Sequence, residues 1–187
     1  MGVVKSEHRK ILVPVQRLGT IKKHWAEIYR PLVDEMKLQV RMCLKTKLLE
    51  MRTCAHTADD SAVQRGEDFV HAVLAGFSPE DSLVLLRLDG MFVEGFEIKD
   101  VRTLKNDHLP RAIGRIIGTS GKTKKAIENG TKTRVVVFGT KISLLGSEQN
   151  IRTARDAVCD LILGKPPGKI YNRLRVLAAR KKERELF

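Results

Sequence analysis

Leu38, Val40, Met42 and Leu44 alternate with polar neighbours, the period of a strand that buries one face. A turn at Lys45-Thr46-Lys47 returns the chain into a second strand that ends near Thr53. Ahead of this pair, Ile11 to Val15 alternates around Pro14 and reads as a strand. Ile21, Trp25 and Ile28 then fall on one face of a helix over Thr20–Glu27. Pro31 opens a second helix, at the position where a missing N–H costs nothing. After the strand pair, Ala62, Phe69, Val70, Val73, Leu74 and Phe77 mark the inner stripe of a long amphipathic helix, which Ser78-Pro79-Glu80-Asp81 ends. The order is β-α-α-β-β-α.

The second half repeats that order at an offset of about 90 residues, an internal repeat that precedes any choice of fold. Phe92 to Val101 reads as a strand, with Gly95 marking a bulge. A short helix spans His108–Ile117, a glycine loop follows, and a second helix runs from Lys122 to Glu128, closed by Asn129-Gly130. Arg134–Phe138 and Lys141–Leu145 form a strand pair around Gly139-Thr140. Ser147 caps a last helix whose stripe is Ile151, Ala154, Val158 and Leu161. Between the halves, the apolar run Leu83–Leu88 is a connecting element, read as a helix packed between them. Past the rigid segment Gly164-Lys165-Pro166-Pro167-Gly168, Ile170, Leu174 and Leu177 lay one helical face on the body. Arg173, Arg175, Arg180, Lys181, Lys182 and Arg184 then turn to solvent or to a polyanion. The expected organisation is α+β: a domain over 1–80, a connector over 81–91, a second domain over 92–164 and a basic helical tail over 165–187.

Charge sharpens this picture. The chain carries a formal charge of +13, but residues 1–90 hold 14 Lys/Arg against 12 Asp/Glu, while residues 91–187 hold 21 against 10. The surplus therefore belongs to the second half and points to a polyanionic partner there, with a merely solvated basic surface as the alternative. No apolar run approaches a membrane span, and no basic helix has the broad apolar face that binds a membrane surface. Cys43, Cys54 and Cys159 form no C-x-x-C and are odd in number, which signals neither a disulfide framework nor a zinc site; reduced thiols are expected. Cys54 and His56 make half a metal site without a second pair. The five histidines are scattered, and no carboxylate pair or nucleophile–base set stands out, so the chain reads as a non-enzyme needing no cofactor. Met1-Gly2 with Ser6 matches a myristoylation pattern and Asn129-Gly130-Thr131 a glycosylation sequon; neither has supporting context.

The segment Ile116-Ile117-Gly118-Thr119-Ser120-Gly121-Lys122 carries the chemistry. Glycines at both ends of two small polar residues let a phosphate approach the backbone with no Cβ in the way. The helix that starts next aims free N–H groups and its positive dipole end at the same point, and Lys122, Lys124 and Lys125 add charge. Gly121-Lys122-Thr123 also ends like a nucleotide-binding P-loop, but that motif requires glycine where Ile116 stands. A KH module clamps about four nucleotides of single-stranded RNA with such a loop. Ile113, Ile116 and Ile117 would floor the groove, and Val135 to Val137 would wall it, their backbone reading base edges; Arg134 and Val136 count among the RNA contacts. The first half lacks the loop. Its expected counterpart near Glu27-Ile28-Tyr29-Arg30 has no glycine pair, and Trp25 and Tyr29 are either exposed anchors for a partner or, for Trp25, core. The two tandem domains are then of KH type I, the first degenerate. Three readings compete: RNA clamping, a protein-interaction scaffold with a vestigial loop, and another KH factor of ribosome assembly or translation.

The stretch VEGFEIKDVRTLKNDHLPRAIGRIIGTSGKTKKAIENGTKTRVVV resembles the second KH domain of the Pno/Dim ("partner of Nob") family of small-subunit assembly factors. The similarity extends to ILVPVQRLGTIKKHWAEIYRPLV and to the tail PPGKIYNRLRVLAARKKEREL. It implies binding to pre-ribosomal RNA near the 3′ end of the small-subunit rRNA. It also implies work beside the PIN-domain endonuclease that cleaves there, the rRNA adenine dimethyltransferase and other pre-ribosomal proteins. The implied location is the nucleolus and nucleus, with a later cytoplasmic phase. On this chain it places the phosphate clamp at Gly118, Thr119, Ser120 and Gly121, with Lys122 beside it, and a first domain without the loop, which favours a eukaryotic source. Lys124 departs from the aliphatic residue common in KH domains, and the acidic or low-complexity N-terminal extension of eukaryotic members is not in this sequence.

Overall fold

The computed structural model describes residues 6–57, 59–105 and 107–186; Met1-Gly2 and the side chains of Lys181, Lys182 and Arg184, singled out above, lie outside what it describes. The chain divides into two compact units, residues 1–89 and 90–187.

In the first unit, β1 (His8–Leu12) and β2 (Gln39–Cys43) flank β3 (Leu48–Arg52) in an antiparallel sheet of order β1-β3-β2. The first strand begins earlier than hydrophobic alternation suggests, because His8 and Lys10 pair with Glu50 across the outer face of the sheet. Helix α1 (Val15–Lys23) breaks at His24, and α2 (Trp25–Arg30) runs on into a five-residue π-helical turn, Pro31–Glu35. Pro31 thus extends a helix instead of opening one. Helix α3 (Ala62–Ala75) ends at Gly76, whose φ of +116° lets the N–H groups of Gly76 and Phe77 close on Ala72 and Val73 carbonyls. Ser78 then starts a new turn by accepting a hydrogen bond from the Asp81 N–H at 3.1 Å. The expected connector is therefore two short helices of the first unit, α4 (Pro79–Ser82) and α5 (Val84–Arg87). Leu86 is buried in the same core as Phe69 and Val73, and Arg87 grips Glu35 with two guanidinium nitrogens, which holds the Glu35 carboxyl below its ordinary pKa.

In the second unit, β4 (Met91–Glu97) ends where a reciprocal cap forms. The Asp100 carboxylate accepts the Glu97 N–H at 2.9 Å, turning residues Ile98–Val101 into a single helical turn, α6, in place of the expected strand. Gly95 sits in unbroken register opposite Ser143, so it marks no bulge; a Cβ there would crowd Lys141 at 3.2 Å. Helix α7 (His108–Ile117), a 3-10 turn Thr119–Gly121, α8 (Lys122–Thr131), β5 (Arg134–Phe138), β6 (Lys141–Ser147) and α9 (Glu148–Ile162) complete the repeat, with sheet order β4-β6-β5. Ser147 occupies the cap position of α9 without a side-chain capping bond. Helix α8 runs through Asn129-Gly130 and ends at Lys132 in the left-handed region, φ +53°. Gly130 has another use: a Cβ on it would stand 3.1 Å from Leu174 Cβ.

That contact belongs to α10 (Pro167–Leu186), which Pro167 opens from its first position. Ile170 and Leu174 are as buried as Ile127 and Ile151, and Leu177 is half-buried. The tail is thus part of the second core, which makes 165–187 continuous with the KH-like unit. Cys43, Cys54 and Cys159 are free and half-buried, and burial pushes the Cys159 thiol above its ordinary pKa.

Leu174→Ala is expected to destabilise the second unit by about 2–5 kcal/mol, the cost of a cavity under a packed leucine. Trp25 lies in the first unit, so its fluorescence provides the internal control: denaturation followed by far-UV circular dichroism shifts, while the Trp25 transition holds. A loss below about 1 kcal/mol would show that the tail does not share the core.

Candidate nucleic-acid interface

Helices α7 and α8 are joined by Gly118, with φ +73°, and by Thr119-Ser120-Gly121, in which Ser120 and Gly121 are also left-handed at φ +53° and +75°. The two glycines are needed for different reasons. At Gly118 a Cβ would lie 2.2 Å from the Thr123 hydroxyl oxygen and 2.8 Å from the Thr123 backbone nitrogen, so nothing larger fits. At Gly121 nothing stands within 4 Å, and glycine answers only to the backbone angle. The Gly118 N–H donates to the Gly114 carbonyl at 2.8 Å and the Gly121 N–H to the Gly118 carbonyl at 3.2 Å. Thr119 and Ser120 are exposed at the tip, immediately before the N-terminus of α8, where unsatisfied N–H groups and the helix dipole favour an anion. Thr123 is buried in the first turn of α8, and its hydroxyl is hydrogen-bonded to the Tyr171 hydroxyl of α10 at 2.9 Å. Neither Thr123 nor Tyr171 stands out in the sequence, because their pairing exists only once the tail helix docks.

On α7, Ala112 and Ile116 point into the core, so Ile116 is not part of the groove floor. Ile113 is half-buried and Ile117 is 37% exposed, one turn apart on the flank a quarter-turn or more from that buried face. β5 is the edge strand of its sheet. Its alternation sends Val135 and Val137 to the helix face, packed on the core, and Val136 to the opposite face. Val136, counted among the RNA contacts, thus turns its side chain away from the helix face. Val137 is the inward neighbour, and the edge is approached through main-chain groups. Glu128 shows which way these groups point, since its Oε1 accepts the Val135 N–H at 2.9 Å from outside the sheet. Antiparallel alternation then directs the Val137 N–H and C=O to the same edge.

The lysines differ among themselves. Lys122 and Lys125 are exposed. Lys124 is half-buried and lies 3.8 Å from Glu128 one turn on along α8, the carboxylate that accepts the Val135 N–H at the strand edge. Arg134 is exposed at the start of β5 and already has a partner.

In the first unit the corresponding break is a single residue, His24, three residues before the stretch expected from the sequence. Its Nδ1 is 2.8 Å from Glu27 Oε2, which puts a carboxylate beside the break where the second unit has an open glycine loop. Trp25 packs partly on the core, and its ring lies 6.0 Å from that of Tyr29, which is 38% exposed. Trp25 is thus a half-buried ring with an exposed aromatic neighbour. Several cations of this unit are engaged: the Arg41 hydrogen bond holds the Glu50 carboxyl below its ordinary pKa, with Lys10 and His8 also near. Among the described residues no three potential ligands gather at one point to hold a metal ion.

Residues 95–179 match the model of the second KH domain of this family, described as a eukaryotic type KH-domain (KH-domain type I). The chain is 56% identical over 181 residues to the pre-rRNA-processing protein PNO1 of Debaryomyces hansenii, covering 97% of this chain and 71% of that protein. It is 53% identical over 180 residues to the RNA-binding protein pno1 of Drosophila melanogaster, covering 96% and 75%. Among solved structures it resembles aDim2p of Pyrococcus horikoshii in a crystal with a/eIF2alpha and rRNA, with a TM-score of 0.79, 28% identity, and coverage of 95% of this chain and 96% of that one. The chain belongs to the PNO1 family of pre-rRNA-processing KH proteins.

Proposed function

We propose that the second unit clamps single-stranded RNA from the 3′ region of the small-subunit rRNA and its precursor. The chain would act there as a non-catalytic assembly factor beside the PIN-domain endonuclease and the rRNA adenine dimethyltransferase. Its place is the nucleolus and nucleus, then the cytoplasm. The observation that carries this reading is the Gly118–Gly121 loop: positive φ at Gly118, Ser120 and Gly121 at the head of α8, with Lys122 exposed beside them. Membership of a family of pre-rRNA-processing proteins, and the likeness to an archaeal protein crystallised with rRNA, support it.

Backbone phosphates meet the loop through the N–H groups of Thr119 and Ser120 and free N–H groups of the first turn of α8, and through Lys122 and Lys125. Ile113 and Ile117 offer an apolar flank on which bases rest, and the Val137 main chain at the β5 edge faces their hydrogen-bonding edges. The first unit has its break sealed by His24 and Glu27 and takes the other role: Trp25 and Tyr29 contact a protein of the precursor particle. This divides the labour between clamping and scaffolding.

Gly121→Asp is the clean test of the clamp, because its side chain enters open space and aspartate tolerates a left-handed backbone. Gly118→Asp would collide with Thr123 and confound binding with folding. Fluorescence anisotropy with short single strands from the 3′ end of small-subunit rRNA is expected to show at least roughly tenfold weaker binding for Gly121→Asp at an unchanged circular dichroism spectrum. Each phosphate contact adds about 0.7 to the slope of log affinity against log salt. Unchanged affinity in the folded variant would refute the clamp.

Tyr29→Ala is expected to weaken nuclease-resistant capture of the endonuclease while leaving RNA affinity within about twofold, since Tyr29 is an exposed anchor outside the clamp. Capture at wild-type strength would remove the aromatic pair from the partner surface.

A further inference from the structure

The groove occupies one flank of α7 only. On the other flank a cleft of about 740 Å³ opens, lined by His108, Arg111 and Arg115 of α7, by Lys122, and by Pro167 and Tyr171 of α10. Gly118 and Thr119 line it too, so groove and cleft meet at the clamp loop. A neighbouring cleft of about 480 Å³ shares His108 and Arg115 and adds Arg102 and Lys105. Neither is lined by a carboxylate. Helical spacing explains the cluster: positions 108, 111 and 115 recur on one side of α7, away from the Ile113–Ile117 flank.

These cations differ from others in the same unit. Lys99 pairs with Glu97, Lys124 with Glu128, Lys165 and Arg173 with Asp160, and Arg155 with Glu94. Among the described residues, Arg102, Lys105, Arg111, Arg115 and Lys122 have no acidic partner. Arg115 directs only its Nε, at 3.4 Å, to the Arg111 carbonyl, and its guanidinium rests against Gly164, where a Cβ would come within 3.2 Å of Nη1. Like charges held together without a counter-charge raise the local potential, and a polyanion relieves it. The tail helix supplies the far wall through Pro167 and Tyr171, and the Tyr171–Thr123 hydrogen bond fixes that wall to the loop.

We propose that this cleft is a second phosphate site, rising from the clamp along the outer flank of α7. It takes the backbone of the same RNA strand outside the nucleotides held at Gly118–Gly121. The strand crosses the loop tip and sets its next phosphates against Lys122, Arg111 and Arg115. Base edges are not read there, since the lining offers no strand edge whose main-chain groups could pair with them. The inference rests on RNA being held at the clamp, and the two fail separately.

The test uses the full chain, the double variant Arg111→Gln/Arg115→Gln, and two RNAs sharing one core: about four nucleotides, the span of the clamp, and about twelve. Affinities come from anisotropy, by competition for the short strand, over a salt series. For the longer RNA the double variant is expected to bind about tenfold more weakly, with a salt slope lower by about 1.4 for two lost phosphate contacts. The short RNA should bind within about twofold of wild type. Arg111 is exposed and has no structural partner through its side chain among the described residues, so Arg111→Gln alone repeats the effect at half the slope change with the fold kept. Equal losses for both lengths, or no loss for the longer one, would overturn the site. So would unchanged RNA binding together with lost capture of an acidic protein segment, which would assign the cleft to protein. Short-RNA binding that survives Gly121→Asp would instead refute the clamp itself.

Discussion

Helices α7 and α8 turn back on each other across four residues because Gly118 has nothing where a Cβ would strike the Thr123 hydroxyl at 2.2 Å. A tight turn of this kind sets more than its own shape. It places the first N–H groups of α8 at the surface, holds Thr123 in the interior, and leaves the Thr123 hydroxyl directed at Tyr171 on the tail helix. A buried hydroxyl without a partner is costly, so the turn and the docking of α10 support each other. Gly130 completes the arrangement by leaving room for Leu174 against α8. The basic tail is thus anchored by apolar packing, by one hydroxyl pair and by the Arg173–Asp160 ion pair on α9.

Charge is used in opposite ways in the two units. In the first, Glu50 gathers Arg41, Lys10 and His8, Arg87 closes on Glu35, and Arg65 lies against Asp59 and Asp89. Such pairs at a surface contribute little to stability, but they leave little field for a polyanion. In the second unit Glu94 and Glu97 of β4 and Asp160 of α9 hold cations of their own, and the clefts on the outer flank of α7 are lined by no carboxylate. Two units of like topology therefore differ in where their acids stand and in one loop. His24 with Glu27 closes in the first unit what Gly118 to Gly121 opens in the second.

Much of this was legible in the sequence. The alternation at Leu38–Leu44, the stripe from Ala62 to Phe77 and the run Val135–Val137 give their elements directly, because each buries one face with local period. The glycine loop was legible because its chemistry is local. What failed was decided by tertiary contacts. The start of β1 lies among charged residues that pair across the sheet with Glu50, invisible to a hydrophobic pattern. Gly130 looked like a cap and is a packing site for a helix more than forty residues on. Ile116 and Val136 were placed in the groove by proximity to the motif, whereas helix phase and strand parity send one inward and the other to the far face of the sheet. The Asp100 carboxylate cut short a strand that apolar residues alone would have continued to Val101.

A clamp and a reading edge obey different physics, and the balance between them sets what such a protein discriminates. Phosphate contacts release counterions and weaken steeply with salt, without regard to sequence. Bases against Ile113 and Ile117 and hydrogen bonds at the β5 edge respond to base identity and little to salt, with stacked bases worth about 1–3 kcal/mol each on aromatic platforms. This groove offers isoleucines in place of aromatics, so its base contacts fall toward the low end of that range. A four-nucleotide site of this kind is selective but weak. Strong binding then requires contacts outside the four nucleotides, and for them the second unit has an unpaired basic flank continuous with the loop. Its affinity should therefore grow with strand length while its sequence preference stays confined to the groove.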